Sequence, residues 1–151
     1  MRIIIVGGGK LGNSLAQRLV EEGHDITVVD SSDAVVQRGM DTLDALFIKG
    51  SGVSADILTE ADVQHADIVI AATAGDEGNM LGCLTAKRLG AQYAIARIRD
   101  PEYLSSLPFL QKELDIDYVI NPERSTAREI SRMLRFPFAG NIETFARGRV
   151  E

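Results

Sequence analysis

Short apolar runs alternate along this chain with stretches whose apolar residues recur at helical spacing. The runs fall at 3–6, 26–29, 45–48, 68–71, 93–96 and 118–120, and most are rich in β-branched residues. Continuous apolar runs of this length predict strands buried on both faces of a parallel sheet. Between them, Leu11, Leu15, Leu19 and Val20 form one helical stripe, and Leu81, Leu84 and Leu89 mark another. Asp100-Pro101-Glu102 and Asn121-Pro122-Glu123 each offer an N-cap side chain, a proline for the first helical position and an acid near the positive end. The alternation predicts about six strands in a doubly wound, Rossmann-type α/β sheet with helices on both faces.

No internal repeat or low-complexity linker interrupts this pattern. It holds through residue 135, so 1–135 is expected to be one nucleotide-binding domain. Residues 136–151 depart from it, with Phe136-Pro137-Phe138 and then Gly140, and read as an exit segment toward a further domain.

Composition narrows the class. The 151 residues are 45% hydrophobic and 25% charged, which fits one soluble globular domain. A single cysteine, Cys83, forms no internal bridge and suits a reducing compartment. No apolar run approaches the roughly 20 residues of a membrane-spanning helix, and MRIIIVGGGK reaches glycines and a lysine too soon for a signal peptide. The net charge is −6, with −8 on residues 1–120 and +2 on residues 121–151. An acidic body argues against nucleic acid as a partner, while leaving local cations free to hold phosphates.

The chemistry is concentrated after the first strand. Gly7-Gly8-Gly9-Lys10-Leu11-Gly12 fits G-x-G-x-x-G on Gly7, Gly9 and Gly12. In that pattern the first glycine makes the turn, the second lets backbone approach a pyrophosphate and the third lets helix and strand pack closely. Asp30 ends the second strand eighteen residues after Gly12, where a carboxylate accepts hydrogen bonds from a ribose diol. It would repel a 2′-phosphate, so NAD(H) or a plain adenine nucleotide is expected over NADP(H). The structural alternative for Asp30 is an N-cap of the next helix, shared with Ser31.

Gly50-Ser51-Gly52 and Thr73-Ala74-Gly75-Asp76 follow the third and fourth strands at the same sheet edge. Both are candidates for adenine, phosphate or nicotinamide contacts, and both can equally be simple turns. Lys10 and Arg97 are the candidate phosphate cations, a structural ion pair being the alternative for Arg97. His24 and His65 lack metal-ligand partners at useful spacing and read as surface residues, while Cys83 reads as a packing residue. Arg124, Arg128, Arg132 and Arg135 line one face of the last helix, opposite Ala127, Ile130 and Leu134, and read as a solvated stripe. The sequence offers no Ser/His/Asp set, no metal cluster and no second domain to hold a substrate against a nicotinamide. An NAD-dependent oxidoreductase, or a cofactor domain cut from one, is the rival reading.

Several stretches together carry a resemblance: the glycine loop, Asp25-Ile26-Thr27-Val28-Val29-Asp30, Asp76-Glu77-Gly78-Asn79-Met80, Ala96-Arg97-Ile98-Arg99-Asp100-Pro101-Glu102-Tyr103 and Asn121-Pro122-Glu123. They resemble the N-terminal nucleotide-binding (RCK or KTN) domain family of Trk-type potassium uptake proteins, over essentially the whole chain. The resemblance implies a non-enzymatic, cytoplasmic regulator, peripheral at the inner face of the cell membrane. It would bind NAD(H) or ATP/ADP and gate a membrane potassium-translocating subunit by conformational change. By position, Gly7 to Gly12 would wrap the phosphates, Asp30 would hold the ribose, Ser51 would lie near the adenine, Thr73-Ala74 would line the second half of the cleft and Arg97 would reach a phosphate. An acid matching Glu123 helps some relatives hold a divalent cation at a dimer interface. Relatives often carry arginine where this chain has Lys10, and they usually continue into a small C-terminal domain, so this chain is expected to be a fragment or a minimal member. A homodimer or larger ring is implied, with part of the surface formed by Met80, Leu81, Cys83 and Leu84 expected at its interface.

Overall fold

The computed structural model describes residues 1–103 and 105–135. The expected exit segment, 136–151, lies outside the described residues. The chain divides into two compact units, residues 1–120 and 121–151. The first unit holds β1 (Arg2–Val6), α1 (Lys10–Glu21), β2 (Asp25–Asp30), α2 (Asp33–Thr42), β3 (Leu46–Lys49), α3 (Ala55–Glu60), β4 (Ile68–Ala71), α4 (Asp76–Leu89), β5 (Tyr93–Arg97), α5 (Leu107–Glu113) and β6 (Tyr118–Ile120). The second holds α6 (Pro122–Arg135), whose start matches the expected cap: Asn121 Oδ1 accepts the Arg124 amide at 2.9 Å.

All six strands join one parallel sheet in the order β3-β2-β1-β4-β5-β6. The order reverses between β2-β1 and β4, which opens a crevice at the carboxyl ends of those strands. Side chains alternate across the sheet. Ile4, Val6, Val29, Ile48, Val69 and Ala71 pack with Leu58 of α3 and Met80, Cys83 and Ala86 of α4. Ile3, Ile5, Ile26, Val28 and Ile70 pack with Ala16 of α1 and Val36 of α2. Both faces of the central strands are therefore dry, which is why their sequences read as unbroken apolar runs.

Two sequence expectations need correction. The third strand lies one residue later than its apolar run, at Leu46–Lys49, because Lys49 pairs with Asp30 in the sheet register. Asp100-Pro101-Glu102 opens no α-helix: Pro101–Tyr103 is a single 3-10 turn and α5 begins at Leu107. Its cap does form, with Asp100 Oδ1 accepting the Glu102 amide at 2.9 Å, but the preceding amides are committed elsewhere, as described below. Of the four residues expected to contribute in part to a dimer interface, Met80 and Cys83 are buried in the core, Leu84 is half-buried and Leu81 is exposed. The chain's own sheet and α3 cover that face of α4.

Candidate nucleotide cleft at the carboxyl edge of the sheet

The glycine loop is forced by contacts at both ends. Gly7 has φ +100°, and a Cβ there would stand 2.9 Å from the Thr73 amide nitrogen. At Gly12 a Cβ would fall 1.7 Å from the Gly7 carbonyl oxygen, so only glycine lets α1 pack on the strand it follows. Gly9 differs: a Cβ there meets nothing within 4 Å. It is the N-cap of α1, with no side-chain cap and no acid in the helix's first turn. The exposed amides and uncompensated positive end of a 12-residue helix make an anion site. Lys10 is exposed and Leu11 half-buried on the same turn.

Asp30 is tied to this loop. Its Oδ2 accepts the Gly8 amide at 2.7 Å and its Oδ1 accepts the Ser32 amide at 2.8 Å. An ionised carboxylate has about four lone-pair sites, so each oxygen retains one for a hydroxyl donor. The N-cap of α2 is Ser32, without a side-chain cap bond, so neither Asp30 nor Ser31 is the helix cap; Ser31 is exposed between them. Gly50 follows β3 directly and its amide donates to the Asp30 carbonyl at 2.9 Å. Ser51 beside it is exposed. A Cβ at Gly52 would overlap Val6, at 1.9 Å from its side chain, so this third loop is pressed against the end of β1.

On the other side of the glycine loop, Thr73 and Ala74 lie in the loop that leads from β4 to α4. Asn79, wholly buried, organises this half. Its Oδ1 accepts the Thr73 amide at 2.9 Å and the Thr73 hydroxyl at 2.7 Å, and its Nδ2 donates to the Arg97 carbonyl at 2.8 Å. One side chain thus fixes the ends of β4 and β5 together. Arg97 is the last residue of β5, half-buried and in register with Ile120.

Asp76, at the start of α4, is 7% exposed. Its Oδ2 accepts the amides of Arg99 at 2.8 Å and Asp100 at 2.7 Å. Glu77 accepts the Tyr103 hydroxyl at 2.5 Å. That bond is the main reason the Glu77 carboxyl is held below its usual range and the Tyr103 phenol is pushed up to about 12. The sequence did not single out Asn79 as a site residue, and named Asp76 only as the end of the candidate Thr73-Ala74-Gly75-Asp76 loop. The available signal was a polar residue on the apolar, inward face of a helix, which demands buried partners.

Glu123 stands in the first turn of α6, in the unit 121–151. Among the described residues no group of three or more His, Cys, Asp or Glu side chains is placed to hold a metal ion. None of the described helices is long and apolar enough to cross a membrane.

The sequence matches the TrkA-N domain over residues 3–122. A Trk system potassium uptake protein TrkA homolog of Methanothermobacter thermautotrophicus is 32% identical over 151 residues, covering the whole chain and 68% of that protein. The Trk system potassium uptake protein TrkA of Haemophilus influenzae is 37% identical over 153 residues, covering 99% of the chain but 33% of that protein. Against the latter, the chain spans about a third of its relative's length. Among solved structures, the TrkA-N domain of the inner membrane protein ybaL from Escherichia coli superposes with a TM-score of 0.78 at 19% identity, covering 88% of this chain and 96% of that one. The GsuK channel bound to NAD superposes with a TM-score of 0.67 at 23% identity, covering 79% of this chain and 21% of that one.

Proposed function

The chain belongs to the TrkA-N domain family, and from that membership and the geometry of the glycine loop we propose that it is a nucleotide-sensing regulatory domain of a Trk-type potassium uptake system. The observation that carries the reading is the open backbone at Gly9, on an uncapped helix end, beside an Asp30 carboxylate already oriented by Gly8 and Ser32. Phosphates of NAD(H) or ATP/ADP would sit on the Gly9 and Lys10 amides, with Lys10 and Arg97 adding positive charge. Asp30 would hold the ribose, Gly50 and Ser51 would flank the adenine, and Thr73 and Ala74 would meet the far half of the ligand. A related fold that binds NAD in a channel supports the choice of ligand.

In this proposal the ligand undergoes no chemistry. It acts by binding two arrangements of the assembly unequally, since a ligand shifts an equilibrium only by its difference in affinity for the two states. The partners would be further copies of the chain, in a dimer or ring, and a membrane potassium-translocating subunit at the inner face of the cell membrane. A divalent cation shared between copies at Glu123 belongs to the same proposal.

Potassium uptake in cells lacking their own regulator tests this reading when the full-length protein is supplied intact or as Asp30→Ala. Restored uptake by the intact protein and loss of its nucleotide response in Asp30→Ala is the expected result. Steady oxidation of a small alcohol or hydroxy acid by NAD on this protein, with no effect on uptake, would favour an oxidoreductase.

A further inference from the structure

Asn79 lies on the first turn of α4 and is wholly buried. A side-chain amide offers two acceptor lone pairs and two N–H donors, and here all four are taken. Oδ1 accepts the Thr73 amide and the Thr73 hydroxyl, while Nδ2 donates to the carbonyls of Thr73 at 3.3 Å and Arg97 at 2.8 Å. Nothing of this amide is left over for a ligand. It ties the peptide that follows β4 to the end of β5, and a buried, fully satisfied polar network is rigid. Only an amide can do this, because the site presents donors on one side and carbonyls on the other.

Thr73 is also the neighbour of the glycine loop. The Ala72 amide donates to the Val6 carbonyl at 2.8 Å, so Gly7 and Thr73, next along each chain, leave the sheet side by side. A Cβ at Gly7 would stand 2.9 Å from the Thr73 amide nitrogen and 3.0 Å from its Cα. A glycine loop that adjusts its backbone to seat an anion therefore presses on the Thr73 peptide. Beyond Asn79, the same turn of α4 holds the segment after β5. Asp76 accepts the Arg99 and Asp100 amides, and Glu77 accepts the Tyr103 hydroxyl.

We propose that Asn79 is a positioning residue that carries occupancy of the glycine loop, through Thr73, to residues 97–103. The proposal rests on the nucleotide-binding reading above and names a route of regulation for that site. Its output is a charged turn at the surface, since Arg99, Asp100, Pro101 and Glu102 are all exposed.

Amide hydrogen exchange and NMR of the whole protein, empty and saturated with AMP, test it. AMP brings a single phosphate for the glycine loop. In the intact protein AMP should shift the Gly9 and Lys10 amide resonances and slow exchange of the Arg99 and Asp100 amides by about fivefold or more, the low end of usual coupling between sites. In Asn79→Ala the shifts at Gly9 and Lys10 should persist while the slowing at Arg99 and Asp100 is lost. A merely structural Asn79 would speed exchange there equally with and without AMP, and an unchanged AMP-induced ratio in the variant would overturn the proposal. Thr73→Val, which removes only the hydroxyl donor to Asn79, replaces the alanine variant if that fails to fold. It should weaken the slowing, and an undiminished ratio there would equally overturn the proposal. If AMP shifts Gly9 and Lys10 in the intact protein but leaves Arg99 and Asp100 exchange unchanged, the coupling fails while the nucleotide site stands. If AMP affects neither, both fail.

Discussion

Gly8 and Asp30 are joined by a 2.7 Å hydrogen bond in which the Gly8 amide donates to a carboxylate twenty-two residues along the chain. The bond couples the glycine loop to the end of β2, so the group placed to hold a ribose also sets the shape of the loop placed to hold phosphates. Asp30→Ala removes both contributions. Charge-assisted hydrogen bonds are worth roughly 1.5–3 kcal/mol each, so calorimetry on the folded variant should show NADH and ATP bound about tenfold or more weakly. Undiminished affinity would remove Asp30 from the site.

Two glycines of the same loop should behave oppositely. Gly12→Ala drives a Cβ against the Gly7 carbonyl, an overpacking cost of about 1–3 kcal/mol or more. Differential scanning calorimetry should show melting lowered by roughly 4–10 °C. Gly9→Ala projects its methyl into open space from an ordinary backbone conformation. Its stability should change by no more than about 1 kcal/mol, while nucleotide affinity falls at least tenfold because the methyl occupies the phosphate position.

The motif, the sheet and the acid were readable in the sequence because each follows from local spacing. Gly7, Gly12 and Asp30 sit where strand, turn and helix lengths put them. The β4–β5 half was less legible because its bonds join distant segments. Asn79 reaches the Arg97 carbonyl eighteen residues away and Asp76 the Arg99 amide twenty-three away. Asp76 also draws the Arg99 and Asp100 amides toward α4, and the cap-and-proline signal at Asp100-Pro101 then produces one 3-10 turn where it promised an α-helix.

Asn79→Ala should therefore be costly although it touches no ligand directly. It strips a partner from the Thr73 amide and from the Arg97 carbonyl, both part-buried, at about 1–3 kcal/mol for each group left unsatisfied. Urea unfolding should show a loss of roughly 2–5 kcal/mol. Asn79→Asp keeps the acceptor but sets a buried carboxylate oxygen against the Arg97 carbonyl, and should cost at least as much as Ala.

Cys83 supplies a pH prediction. Burial is the main cause that pushes its thiol up to about 12, against about 8.5 in an unfolded chain. A group whose folded pKa is raised contributes stability that is complete below the unfolded value and lost as pH rises through the folded one. Stability should be unaffected by this thiol below about pH 8.5 and decline toward pH 12. At pH 8 a thiol reagent should label Cys83 only after denaturant is added; rapid labelling of the native protein would contradict its burial.

Backbone amide chemical shifts followed by NMR during titration of the intact protein with ADP report most directly on the proposed site. Saturable shifts should centre on Gly8, Gly9, Lys10 and Ser32, with smaller ones at Gly50 and Ser51, and should need about tenfold or more ADP to saturate in Asp30→Ala. Saturable shifts centred elsewhere, or an identical response in Asp30→Ala, would contradict nucleotide binding at the glycine loop.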